Sequence, residues 1–190
     1  MKKTLMLTAV LGAGLLSVGS ASAATAVYSG DTSTSPDGFF ANPLTSCAVC
    51  AYDVQEFSVD ASGLYDIDAF YPGDDSQDLN LDGYLILYEG AFDPADAGTG
   101  IIASDDDGPG GQNTSQILGA SLTAGTSYFL VTTAFSETPT SFGQPSGPFE
   151  NTISGDGNIT LGGAPIPVPA ALWLFGSALI GLGAARRRKA

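Results

Sequence analysis

The sequence contains no histidine, and its six lysines and arginines are Lys2, Lys3, Arg186, Arg187, Arg188 and Lys189. From Thr4 to Ala185 there is no cation, whereas all 20 acidic residues lie between Ala24 and Pro165. Each absence removes a class of function. Displacing counterions from a phosphate backbone needs Lys or Arg, so nucleic acid is excluded as a partner. Ser-His-Asp triads, histidine zinc sites, Schiff-base lysines and arginine phosphate clamps all lose their central residue. The only tryptophan, Trp173, lies outside the acidic body, which therefore has none to stack on a sugar ring. What remains is carboxylate chemistry, metal-assisted chemistry or binding.

The body between Ala24 and Pro165 has a formal charge of −20, against −14 for the whole chain. Unrelieved self-repulsion destabilises a compact state. The charges can be dispersed over the surface, screened by salt, or met by hard divalent cations, which accept oxygen-only ligand sets.

Long apolar runs occur only near the two ends. Met1-Lys2-Lys3, the run Leu5–Val18 and the small-residue site Ala21-Ser22-Ala23 have the order of a secretory signal peptide, with cleavage expected after Ala23. Val168–Ala185 is nearly all apolar and stops at Arg186-Arg187-Arg188-Lys189. A helix from Ala170 would span roughly 24 Å, slightly less than the ~30 Å hydrocarbon core, and snorkelling arginines with local thinning make up the gap. The basic cluster is expected to stay cytoplasmic, leaving everything before Pro165 outside the membrane.

Two cysteines, Cys47 and Cys50, in a chain with an export signal favour a disulfide. A Cys-x-x-Cys redox motif and unpaired thiols remain the alternatives.

Within the body no 3.6-residue period is sustained and no repeat is visible. Short apolar or alternating runs recur between Gly, Pro, Asp and Ser. They predict strands at Val54–Val59, Leu64–Phe70, Tyr84–Tyr88, Ile101–Ala103, Gln116–Leu122, Ser127–Phe135, Phe149–Ile153 and Asn158–Leu161. Such a pattern predicts an all-β chain, a single jelly-roll-like β-sandwich. The expected organisation is signal peptide 1–23, acidic sandwich 24–161, linker and sorting motif 162–169, and transmembrane helix with basic tail 170–190.

Two acidic segments are candidate Ca²⁺ sites. Asp78, Asn80 and Asp82 alternate ahead of Gly83, with Asp74 and Asp75 just upstream, and Glu89 completes the spacing of an EF-hand loop. However, Tyr84–Tyr88 reads as a strand, which would carry Glu89 roughly 17–20 Å from the loop. The expected ligands are therefore Asp78, Asn80 and Asp82, and a solvated acidic turn is the plainer alternative. The second segment is Asp105-Asp106-Asp107-Gly108, where strand alternation would put Asp105 and Asp107 on one side. A carbohydrate-binding module for exopolysaccharide, using exposed Tyr and Phe among polar loops, and a carboxylate-based polysaccharide hydrolase, with Phe39, Phe40 and Tyr71 available to stack on the sugar, are the competing functions.

Two resemblances extend this reading. Ile166-Pro167-Val168-Pro169-Ala170, followed by the apolar run and the terminal Arg cluster, resembles a PEP-CTERM sorting signal of the Val-Pro-Leu-Pro-Ala variety. It implies cleavage by an exosortase, with transient residence in the inner membrane and delivery to the cell surface or exopolysaccharide matrix. Two alternating prolines suit an extended substrate lacking N–H donors. Asp82–Tyr88, Ser104–Gly108 and Leu122–Tyr128, in that order, resemble the bacterial pre-peptidase C-terminal domain. This implies a non-catalytic sandwich over roughly residues 52–161. Together these lead us to expect a non-enzymatic exported surface or biofilm-matrix protein that binds Ca²⁺.

Overall fold

A computed structural model describes residues 23–34, 36–73, 80–141 and 143–162. The described chain is all-β. Its strands are β1 (Ala24–Asp31), β2 (Gly38–Phe40), β3 (Cys50–Val59), β4 (Gly63–Phe70), β5 (Gly83–Glu89), β6 (Ile101–Asp105), β7 (Thr114–Leu122), β8 (Ser127–Ala134), β9 (Pro148–Gly155) and β10 (Ile159–Leu161).

Two antiparallel sheets form. The smaller has the order β1-β9-β4-β7, and the larger the order β10-β3-β8-β5-β6, with β2 also paired to β3. Successive strands mostly change sheet, so few neighbours in sequence are neighbours in space. Every predicted strand is present. β1 and β2 were not foreseen: β1 alternates small residues with Val27 and Tyr28, and β2 has only three residues.

Alternating side chains of the two sheets meet in the interior. Tyr65 and Ile67 on β4 and Phe149 and Ile153 on β9 oppose Phe57 on β3, Leu85 and Leu87 on β5, and Tyr128 and Leu130 on β8; all are buried. A polar bridge crosses this core, in which Asn151 Nδ2 donates to Thr132 Oγ1 at 2.7 Å and to Tyr28 Oη at 2.9 Å.

The outward face of the larger sheet is covered as well. Ile86 and Tyr88 on β5 and Val131 on β8 are fully buried on the side away from the sandwich interior. Phe92, from the loop after β5, packs against Phe40, Tyr52 and Tyr88 with ring centroids 5.8, 5.2 and 5.0 Å apart. Each such aromatic pair contributes about 0.5–1.5 kcal/mol beyond area burial. Cys47 and Cys50, joined by a disulfide with Cα atoms 5.7 Å apart, are buried members of the core beside this aromatic group. Ala48 N and Val49 N, inside the disulfide loop, donate to Glu137 Oε2 at 2.9 and 3.0 Å.

Among the described residues, nothing covers the outward face of the smaller sheet in this way. Val27, Leu64, Phe70 and Leu118 are all exposed on it.

Candidate functional site

Leu85 on β5 pairs antiparallel with Asp105 on β6. The residues before β5 and after β6 therefore meet at one end of the sheet. There Asp82, Asp106 and Asp107 line a cavity of about 130 Å³ together with Gln112 and Phe135. Asp82 is only 5% exposed, although it is a carboxylate. Its backbone is held on both sides, its N–H donating to Gln144 O at 3.0 Å and its carbonyl accepting from Phe135 N at 2.8 Å. Thr140 Oγ1 donates to Asp82 Oδ2 at 3.0 Å.

No cation faces this cavity among the described residues. Burial, and then the charges of Asp107, Asp82 and Asp105, push the Asp106 carboxyl up to about 6. Burial also raises Asp82; the Thr140 hydrogen bond offsets part of this, and Asp107 adds to it. In each case the low-dielectric surroundings disfavour the charged form.

The expected alternation of Asp105 with Asp107 does not occur. Asp105 ends β6 and its carboxylate accepts from Gln116 N on β7 at 2.7 Å. Beyond Asp105 the chain leaves strand geometry, so Asp106 and Asp107 both reach the cavity. Asp106 was the member of the triplet that strand periodicity had set apart. Its backbone is anchored by Ser115 Oγ, which donates to Asp106 O at 2.5 Å and lies 2.8 Å from Tyr71 Oη.

Asn80 is 3% exposed and its amide donates to Asn113 Oδ1 on the loop between β6 and β7. Gly83 opens β5; a Cβ there would lie 2.0 Å from the Tyr71 ring, so its function is close approach rather than a turn. Glu89 ends β5, at the opposite end from Asp82. Asp78, Asp74 and Asp75 lie outside the described residues. Among the described residues, no three acidic or sulfur side chains converge closely enough to hold a metal ion.

A second carboxylate pair escaped the sequence reading. Asp53, half-buried on β3, is pushed up to about 6 by burial and by Asp37. Asp37 Oδ2 accepts from Val54 N at 2.8 Å, which holds it beside β3.

Of the three rings expected to stack on sugar, Phe39 is 62% exposed, but Phe40 and Tyr71 are buried in the core. Tyr71 is committed to Ser115, and Phe40 to Tyr52 and Phe92. Ala23, at the expected signal cleavage point, is exposed and directly precedes β1. Ala21, the sorting motif Ile166–Ala170 and the basic cluster Arg186–Lys189 lie outside the described residues.

No family model matches the chain, and no curated protein matches it.

Proposed function

We propose that this chain is a non-enzymatic exported protein of the cell surface or exopolysaccharide matrix, released from its C-terminal anchor by an exosortase. The observation that carries this reading is the partition of charge. All 20 acids lie in the body and all six cations lie in the two segments assigned to export and sorting. The Cys47–Cys50 disulfide suits an oxidising destination. The strand orders β1-β9-β4-β7 and β3-β8-β5-β6 support a jelly roll, the architecture that the pre-peptidase C-terminal resemblance implies.

Deleting residues 166–190 tests the sorting claim. Fractionation of the producing cells is expected to move the protein from the surface to the medium, and unchanged surface attachment counts against the proposal.

A second reading concerns Ca²⁺. Among the described residues Asp82, Asp106 and Asp107 line one cavity that no cation faces, although they do not converge into a complete ligand set, and Asp78 and Asn80 stand four and two positions before Asp82 in the sequence. Oxygen ligands of this kind suit a hard divalent cation, and binding would relieve the repulsion. Isothermal titration of the chain with Ca²⁺ and Mg²⁺ tests it, and absence of heat with either ion argues for a hydrated acidic turn.

A further inference from the structure

The outward face of the smaller sheet, which no other described residue covers, carries a groove of about 290 Å³ that no sequence motif announced. It lies over β9, β4 and β7, and the register fixes its layout. Glu150, Phe70 and Thr114 form one cross-strand row, and Thr152, Asp68 and Gln116 form the next. Three strands at a spacing of about 4.8 Å and two rows roughly 6.7 Å apart make a platform of about 10 by 7 Å. A single sugar ring and part of its neighbour cover such an area.

Phe70 is the centre of the platform. It is 51% exposed on β4, a strand flanked by partners on both sides, where a large apolar side chain ordinarily has a cover. On the larger sheet the corresponding outward face is closed by Phe92. Around the Phe70 ring stand hydrogen-bonding groups. Gln116 Nε2 donates to Asp68 Oδ1 at 2.5 Å, which orients both side chains. The turn at Pro109–Gly110 forms one wall. It is pinned by Gly110 N donating to Thr114 Oγ1 at 3.0 Å, and by Thr114 Oγ1 donating to Gly111 O at 3.1 Å.

Ligand chemistry follows from what surrounds the ring. Every charged side chain in the groove is a carboxylate, which accepts hydrogen bonds and repels anions. A suitable occupant presents one apolar face to Phe70 and a rim of uncharged donors to Asp68 and Glu150. A pyranose has both, with axial C–H groups on its face and hydroxyls on its rim. The groove is at the small end of the range for ligand sites, about 300–1,000 Å³, and it is open, which suits one unit of a longer strand.

We propose that this groove binds a neutral polysaccharide, one pyranose ring packing on Phe70 with its hydroxyls donating to Asp68 and Glu150. The inference deepens the matrix-protein reading and rests on it for the source of the polysaccharide. The geometry of the groove stands apart from that reading.

The test is binding of the full chain, in mild detergent with EDTA, to immobilised neutral glucans, mannans and galactans, with polyuronates and cationic peptides alongside. The wild type is expected to retain at least one neutral polysaccharide in preference to the others. Phe70→Ala and Glu150→Gln are each expected to weaken that binding about tenfold or more, and Leu44→Ala, at an exposed apolar residue elsewhere, to leave it unchanged. Melting curves accompany each variant, and Asp68→Asn carries the test if Phe70→Ala alters the fold. The proposal is overturned if no neutral polysaccharide binds, if polyuronates or cationic peptides are preferred, or if the groove variants bind like the wild type. Binding in solution is independent of sorting. An exported protein that ignores glycans therefore sinks the groove alone, and a glycan binder whose deletion of 166–190 changes nothing sinks the sorting claim alone.

Discussion

Asp82, just ahead of β5, and Asp106, just after β6, meet in one cavity at the same end of the β5–β6 pair, and among the described residues no cation faces either. This is the local form of the property that governs the whole body: carboxylates folded together without counter-charge.

The first consequence is an acid-shifted stability optimum. Asp106 and Asp53 are both pushed up to about 6, so between roughly pH 4 and 6 the folded chain holds more protons than the unfolded one. Their stabilising contribution is complete below about pH 4 and is lost as pH rises through 6. Asp31 acts the other way: Ser33 donates to it and holds its carboxyl below the ordinary value, so its contribution is lost in stronger acid. Thermal melts in buffers free of divalent ions are expected to give a higher Tm near pH 5 than at pH 7. Asp53→Asn and Asp106→Asn are each expected to flatten that difference.

Calcium should act on the same repulsion. At a concentration one hundred times its Kd, an ion binding only the folded state stabilises by about 2.7 kcal/mol. Added Ca²⁺ is therefore expected to raise the Tm at pH 7 more than NaCl of equal ionic strength, and Asp82→Asn with Asp106→Asn to remove the excess. An identical response to the two salts indicates screening alone.

Gly83→Ala should be costly despite its small size. The new Cβ would lie 2.0 Å from the Tyr71 ring, which is fully buried and bonded to Ser115. Overpacking of this kind costs typically about 1–3 kcal/mol. Denaturant titration should show that loss, whereas alanine at exposed Gly98, where nothing lies within 4 Å of the added Cβ, should show little.

Replacing Cys47 and Cys50 by serine opens a loop whose closure stabilises by roughly 2 kcal/mol in the chain-entropy model. The loop flanks the aromatic cover formed by Phe40, Tyr52 and Phe92. The variant is expected to lose about that much stability, and reduction of the wild type to produce a similar fall in Tm.

Much of the fold was legible from the chain. Alternation in Leu64–Phe70 and Gln116–Leu122, broken by Gly, Asp and Thr, marks β4 and β7. The run Tyr84–Tyr88 reads as a strand, and β5 forms there, between β8 and β6. Its outward cover could not be read, because Phe92 folds back through a loop with no periodic pattern. The site was legible only in outline. Asp82 and Asp107 reach the cavity, but extending strand alternation past Asp105 misplaced Asp106, since β6 stops there. Asp53 and the platform around Phe70 depend on pairing between strands distant in sequence, which local spacing does not encode.

The most direct test is the intact mass of the protein recovered from outside the producing cells. The account predicts a species beginning at Ala24 and ending ahead of Arg186, so that all six cations of the 190-residue chain are gone and all 20 acids remain. A full-length chain, retained in the cytoplasm with Lys2 and Arg186–Lys189 still attached, contradicts it.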